Sequence, residues 1–121
     1  MRISWSINRA WARDAAALVV FVAQTSRDDG TPQRWAEYDT GQASAYFSLQ
    51  AHAAGLATHQ MGGFDHDAVA RAFELGENLE PVTIIAVGTI GSHAGISEEL
   101  RQRENAPRVR RALDASVLLD A

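Results

Sequence analysis

Two short runs of apolar, largely β-branched residues constrain this chain more than any other feature. Residues 17–23 read Ala-Leu-Val-Val-Phe-Val-Ala, and residues 82–87 read Val-Thr-Ile-Ile-Ala-Val. Continuous runs of this length and composition are typical of strands that are buried on both faces. Such strands need a covering layer on each side of their sheet, so the two runs predict an α+β domain with a small central sheet flanked by helices.

One long helix is predicted between these two strands. Thr31 is a suitable N-cap and Pro32 stands at the first helical position, while Gly55 follows residue 54 as a C-terminal cap. Small side chains are frequent along this helix and would let a second helix approach it closely. They are Gly41, Ala43, Ala45 and Ala51.

The remaining elements are short. Cap residues and helix breakers predict an extended piece at residues 56–61, a helix from Asp65 to residue 75, a strand opened by Pro81, and a polar helix from Ser97 to residue 104 that Pro107 ends. Residues 113–119 suit an extended strand or arm. These helices are too few to cover both faces of the sheet, so a partner subunit or a further segment is expected to complete the fold, and we expect a homodimer.

Composition excludes several classes of protein. The 121 residues predict one domain, residues 1–121. The net charge of −4 argues against nonspecific nucleic-acid binding. The absence of cysteine excludes disulfides and thiolate sites. No apolar run has the length of a membrane span and the N-terminus lacks an apolar signal region, so a cytoplasmic location is expected.

Six segments, taken in order along the chain, carry a family resemblance: residues 8–12, 37–43, 49–51, 54–65, 85–88 and 108–113. Together they resemble the flavin-dependent nitroreductase family. The stretch from Asp39 to Asp65 is the most specific, and the resemblance runs over nearly the whole chain. The resemblance implies an FMN cofactor that accepts a hydride from NAD(P)H and passes electrons to a nitroaromatic or quinone acceptor.

The resemblance also implies which residues hold the cofactor. The segment Gln60, Met61, Gly62 and Gly63 would lie along the flavin edge, with backbone N–H groups near the ring and glycines that leave space and tolerate unusual φ. Arg108 and Arg110 would contact the FMN phosphate, with Arg111 as a substitute. The alternative for the glycine segment is an ordinary helix-to-strand turn. The alternative for the arginines is a solvated basic tail. No catalytic residue is assigned.

The histidines and Asp39 allow weaker hypotheses. His59 is either a group that orients substrate or flavin, or a polar loop residue, and the second interpretation is favoured. His52 and His93 are expected at the surface, and no histidine spacing matches a zinc site, so no metal is predicted. Asp39 is either a buried general base or a structural residue at the start of the long helix, which packs at the dimer interface in this family.

The resemblance covers the C-terminal part of that family's domain. Family members usually carry an N-terminal half with an arginine- and serine-rich motif that binds FMN, so a truncated nitroreductase-like domain is expected. Two functions follow as hypotheses. One is an FMN-dependent, dimeric NAD(P)H oxidoreductase of nitroreductase type. The other is a non-catalytic remnant that keeps the long helix as a dimerisation or interaction module and binds no flavin.

Overall fold

The computed structural model describes residues 8–92 and 95–117. The chain divides between Gly91 and Ser92 into two units. The first unit contains α1 (Arg9–Ala12), β1 (Ala17–Gln24), α2 (Ala36–Ala53), β2 (Ala57–Met61), α3 (His66–Ala72) and β3 (Leu79–Gly88). The second unit contains α4 (Glu98–Glu104) and a 3₁₀ turn at Leu113–Ala115.

The three strands form one antiparallel sheet in the order β1-β3-β2. The central strand, β3, carries two adjacent isoleucines, Ile84 and Ile85, that are fully buried. Because successive side chains of a strand point to opposite faces, this pair shows that both faces of β3 are covered, as its sequence predicts. The same expectation is wrong for β1, which lies at an edge of the sheet and buries only Ala23.

Pro81 lies inside β3 rather than at its start. It is paired with Val22, where the register between β1 and β3 shifts after Phe21. Proline has no N–H to donate to a ladder, and a bulge is a position where that loss is tolerated. The strand therefore begins at Leu79, two residues before the expected position.

The long helix α2 begins later than Thr31 and Pro32 suggest. Its first residue is Ala36, and Trp35 occupies the N-cap without a side-chain hydrogen bond. The preceding segment makes other bonds, because the Thr31 N–H donates to the Asp29 carboxylate at 2.9 Å and the Thr31 carbonyl accepts from the Arg27 N–H at 2.9 Å. The backbone N–H and carbonyl of Thr31 are therefore bonded within a short turn and do not belong to the first turn of a helix.

The predicted end of α2 at Gly55 and the predicted start of α3 at Asp65 are both confirmed. Gly55 follows α2 with φ 79°, and the Asp65 carboxylate accepts from the Ala68 N–H at 2.9 Å at the start of α3. Helix α3 ends at Ala72, before the expected residue 75. The short helix α1 was not predicted from the sequence, because residues 8–12 carry no cap that forms a side-chain hydrogen bond.

The hydrophobic core forms around one face of β3. Ile84 lies in a buried cluster whose other members come from α1, β2, α3 and β3, together with Phe64: Ala12, Met61, Phe64, Val69 and Ala86. Helix α2 contacts all three strands, and Phe47 of α2 packs edge to face on Phe21 of β1 at 5.4 Å between ring centroids. The sheet is thus layered between helices, in an α+β arrangement.

The second unit is more exposed. Ser97 caps α4 by accepting from the Leu100 N–H at 3.2 Å, as predicted, and α4 buries none of its residues. The expected extended arm at residues 113–119 is wrong over its described part, which contains the 3₁₀ turn Leu113–Ala115. Residues 118 and 119 lie outside the described residues. Among the described helices of the chain, none is long and apolar enough to cross a bilayer.

Candidate functional site

The glycine pair Gly62-Gly63 connects the end of β2 to the start of α3, and buried residues fix it on both sides. Met61 and Phe64, on either side of the pair, are both buried in the core cluster. The Thr83 hydroxyl of the central strand also donates to the Met61 carbonyl at 3.0 Å. Both ends of the connection are therefore anchored in the core.

Within the described part of the chain, the backbone of this connection is not covered by other residues. Gly62 and Gly63 are exposed, and the N–H of neither glycine donates to another described residue outside the strand ladders. A Cβ added at Gly62 would meet no heavy atom within 4 Å, and one at Gly63 would come no nearer than 3.7 Å to the Asn8 amide. Among the described residues, therefore, no atom fills the space that a side chain at either glycine would occupy.

The reason for glycine here is space alone. The expectation of an unusual φ at Gly62 and Gly63 is wrong, because neither glycine has a positive φ. The described glycines that do are Gly30, Gly55 and Gly95. What the two glycines supply is a backbone that no side chain shields.

Gln60 and Met61 precede the pair as the last two residues of β2. Alternation along the strand turns the Met61 side chain into the core, where it is 3% exposed, so only its backbone is available to a ligand. The Gln60 side chain lies on the other face and is exposed, and its amide nitrogen donates to the Ser48 hydroxyl of α2 at 3.1 Å. Sequence reasoning singled out neither Ser48 nor Thr83 in this role, because their partners come from other elements.

His59 is a strand residue, so its interpretation as a loop residue is wrong. It belongs to β2, and its ring packs edge to face on Trp11 with 4.7 Å between centroids. A groove of about 440 Å³ lies beside this pair. Its lining also includes Asp14 and small residues at the start of β2 and the end of β3.

Asp39 and the other described histidines, His52 and His66, lie at the surface. His66 stacks on Phe64 at 4.1 Å beside the glycine pair, and His52 is exposed near the end of α2. His93 lies outside the described residues. Asp39 is exposed in the first turn of α2, which excludes a buried general base and places its charge near the positive end of the helix.

The two arginines assigned to phosphate lie in the second unit. Arg108 and Arg110 are exposed in the segment after Pro107. The Arg110 guanidinium donates to the Val109 carbonyl at 3.0 Å, and neither arginine is in the ion pairs found among the described residues. Both guanidinium groups thus keep charge available for an anion.

The described residues contain no cluster of three or more His, Asp or Glu side chains suited to a metal.

Comparison with known proteins shows the family to which this chain belongs. The model of the nitroreductase family matches residues 3–89, which is most of the chain. The chain belongs to the nitroreductase family. It is 34% identical over 105 residues to an uncharacterised 15.4 kDa protein of Mycolicibacterium smegmatis, covering 87% of this chain and 70% of that protein.

Solved structures show the same fold. One is an oxidoreductase containing FMN, with a TM-score of 0.86 and 24% identity over 95% of this chain. Another is a nitroreductase family protein from Clostridium difficile 630, with a TM-score of 0.65 and 26% identity over 89% of this chain. The chain spans 60% and 61% of those two proteins. The expected nitroreductase-like α+β fold is confirmed.

Proposed function

We propose that this nitroreductase family member is an FMN-dependent oxidoreductase that uses NAD(P)H and reduces a nitroaromatic or quinone acceptor. The observation that carries the proposal is the Gly62-Gly63 connection, an exposed backbone between two buried residues whose two N–H groups donate to no backbone carbonyl among the described turns and loops. Family membership and the fold shared with an FMN-containing oxidoreductase support it.

The residues present fit the ring of FMN. When bound, FMN supplies the capacity to accept a hydride and to pass electrons on. The chain's own part is to hold and polarise the ring: the N–H groups of Gly62 and Gly63 would donate to the acceptor atoms on its edge and stabilise negative charge there. Gln60 would add a side-chain contact, and Met61 a backbone contact.

Arg108 and Arg110 would bind the FMN phosphate. Guanidinium groups recognise phosphate through charge-assisted and often bidentate hydrogen bonds. The support is their exposure and the absence of a carboxylate partner for either one among the described ion pairs.

We further propose that the protein acts as a homodimer. Helix α2 and its N-cap residue carry large apolar or aromatic side chains that are 59–68% exposed, and an exposed apolar face of this kind is typical of an interface. They are Trp35, Tyr38, Tyr46 and Leu49. The segment after Pro107 would pack on the partner subunit.

The exposed apolar face of α2 also favours the second candidate function, an interaction module without flavin. The cofactor experiment below separates this function from the oxidoreductase.

The first experiment is an absorption spectrum of the purified protein followed by titration with FMN. We expect a flavin band or saturable binding. Gly62→Val should weaken binding at least tenfold, because the new side chain fills the open space in front of the backbone. Gly91→Val is the matched control, since Gly91 is also exposed, lacks a positive φ and has no heavy atom within 4 Å of an added Cβ.

Two outcomes decide between the functions. If the wild-type protein binds no FMN while its circular dichroism shows a folded α+β protein, the enzyme proposal fails and the interaction module is favoured. If FMN binds equally well to wild type and Gly62→Val, the flavin lies elsewhere and the assignment of the glycine pair is wrong.

The phosphate assignment is tested by comparing FMN with riboflavin, which lacks the phosphate. Arg108→Gln and Arg110→Gln should each lower affinity for FMN about tenfold and leave affinity for riboflavin unchanged. Arg103→Gln, on exposed α4, is the control and should change neither. An equal loss for both flavins would contradict phosphate binding by these arginines.

The dimer is tested by light scattering over a dilution series. Leu49→Glu should raise the dimer dissociation constant at least tenfold, because it places a charge in the exposed face of α2. Removal of residues 107–121 should also raise it. A monodisperse wild-type monomer with a folded spectrum would refute the dimer.

A further inference from the structure

The turn that follows β1 contains the only Asp-Gly pair in the sequence, Asp29-Gly30. The pair lies in a β-turn that is closed by the Gly30 N–H, which donates to the Arg27 carbonyl at 2.9 Å. Every residue from 27 to 31 is exposed. At an Asp-Gly pair the backbone nitrogen of glycine can reach the preceding carboxyl group with little hindrance, because glycine has no Cβ.

The base of this turn is bonded to the start of β3. The Thr25 N–H donates to the Asn78 carbonyl at 2.8 Å, and the Asn78 side-chain amide donates to the Ser26 carbonyl at 3.3 Å. The Gln33 N–H donates to the Thr25 carbonyl at 2.8 Å. A chemical change at the tip, residues 27–31, therefore leaves these bonds between the turn and the sheet in place.

The reaction open to the pair is closure of a succinimide ring. The Gly30 nitrogen attacks the side-chain carboxyl carbon of Asp29, a C–N bond forms, and a C–O bond of the protonated carboxyl breaks. The leaving hydroxyl and the amide hydrogen depart together as one water. A second water then opens the ring. Opening at the former main-chain carbonyl of Asp29 gives isoaspartate, in which the chain runs through the side-chain carbon and the α-carboxylate is left free.

Two features of the folded turn oppose this reaction. The Gly30 N–H, which must give up its hydrogen, is held on the Arg27 carbonyl. The Asp29 carboxylate accepts from the Thr31 N–H at 2.9 Å, and hydrogen bonds from the Thr31 side chain and backbone lower the pKa of this carboxyl. An ionised carboxylate is a poor electrophile, because its negative charge repels the attacking nitrogen and its oxygen does not leave.

We propose that Asp29 is a covalent modification site, converted to isoaspartate through the Asp29-Gly30 succinimide, and that Thr31 keeps this conversion slow in the folded protein. The proposal does not depend on flavin binding. Although the pair is exposed, exposure does not set the rate. Ring closure waits until the turn opens and the Gly30 nitrogen is released from Arg27, so the modification records opening of this turn.

The test follows isoaspartate at position 29 in the purified protein at mildly acidic pH, folded in buffer or unfolded in guanidinium chloride. Isoaspartate is measured by chromatography and mass spectrometry of the tryptic peptide 28–34. The unfolded chain should form isoaspartate about tenfold faster than the folded protein, the factor expected when one or two hydrogen bonds are lost. Asp29→Glu should form none at this position, because the six-membered ring that glutamate requires closes far more slowly.

The role of Thr31 is tested with Thr31→Val, which removes the hydroxyl and keeps the N–H and the branched shape. This variant should raise the folded-state rate about threefold, since one hydrogen bond to the carboxylate is lost, and leave the unfolded-state rate unchanged. Thr89→Val is the matched control, because Thr89 is also exposed but lies at the far end of the sheet's central strand. It should change neither rate.

Each result decides a separate point. If the unfolded chain forms no isoaspartate at position 29, the site is wrong. Equal rates in the folded and unfolded wild-type protein would show that the turn gives no protection. An unchanged folded-state rate in Thr31→Val, or an equal rise in both states, would overturn the role of Thr31. None of these measurements involves flavin, so they stand apart from the outcome of the FMN titration.

Discussion

Two helices of the first unit end in the same backbone motif but place different residues at its left-handed position. Gly55 follows α2 with φ 79°, and Glu74 follows α3 with φ 52°. In each, two N–H groups donate back to the last turn, the pattern of a Schellman motif. After α2, the Gly55 N–H donates to the His52 carbonyl and the Leu56 N–H to the Ala51 carbonyl, both at 2.9 Å. After α3, the Glu74 N–H donates to the Arg71 carbonyl at 3.3 Å and the Leu75 N–H to the Ala70 carbonyl at 2.9 Å.

We predict that exchanging the residue type changes stability in opposite directions at the two positions. A left-handed conformation costs an ordinary residue about 1 to 2 kcal/mol, while glycine loses about 0.5 to 1 kcal/mol more chain entropy on folding. Through its backbone conformation alone, Glu74→Gly should therefore raise the free energy of unfolding by about 0.5 to 1 kcal/mol, and Gly55→Ala should lower it by a similar amount. An added Cβ at Gly55 meets no atom within 4 Å, so sterics with neighbours add nothing.

The measurement is urea denaturation followed by circular dichroism, with the m-value fitted for each variant. Glu74→Ala is the control, because it removes the carboxylate but keeps a Cβ in the left-handed conformation. It should gain only about 0.3 kcal/mol, from removing a negative charge near a helix C-terminus. In thermal melts the change for Glu74→Gly should appear as a rise of roughly 4 °C in Tm.

Two results would refute this reasoning. If Glu74→Ala stabilises as much as Glu74→Gly, the carboxylate and not the backbone conformation sets the effect. If Gly55→Ala and Glu74→Gly shift the free energy of unfolding in the same direction, the left-handed position does not control the stability of these helix ends.

Three further predictions concern stability. Ile84→Val should lower the free energy of unfolding by about 1 kcal/mol in the same urea assay, because the Ile84 side chain is only 1% exposed. Ile90→Val is the control and should change it by nearly nothing, since Ile90 is 84% exposed. Equal losses would contradict the placement of Ile84 in the core. Asp65→Ala should cost about 1 kcal/mol by removing the cap of α3, and no loss would show that another group replaces it. Hydrogen bonds from Thr31 lower the pKa of the Asp29 carboxyl. The ionised carboxylate therefore stabilises the fold above the unfolded pKa of 3.8, and this stabilisation is lost as the pH falls through the lower pKa of the folded state. The urea midpoint of Asp29→Asn should therefore fall less than that of wild type on acidification from pH 5 to pH 2, and parallel curves would contradict the assignment.

The sequence determined the kinds of elements and several of their ends. Asp65 and Ser97 predicted helix starts, and Gly55 predicted a helix end, because each acts on backbone groups within a few residues of itself. The apolar run of β3 predicted a strand covered on both faces. The order of motifs along the chain was enough to indicate the nitroreductase family, and the family model confirms it.

Only the tertiary structure decided how those elements are used. The runs of β1 and β3 look alike, yet one lies at the edge of the sheet and the other at its centre. Strand order depends on pairing between distant residues, which local composition does not encode. Pro81 and Thr31 were misplaced for the same reason, since a bulge opposite Val22 and a turn bonded to Asp29 changed what each residue does.

The candidate site divides in the same way. The glycine pair could be recognised in the sequence, but the absence of positive φ and the open space beside it are properties of the folded connection. The hydrogen bond from Gln60 to Ser48 joins residues twelve positions apart and exists because α2 packs on the sheet. Sequence therefore named the groups that are proposed to hold flavin, and the packing of α2 against β2 decided which side chain Gln60 is bonded to.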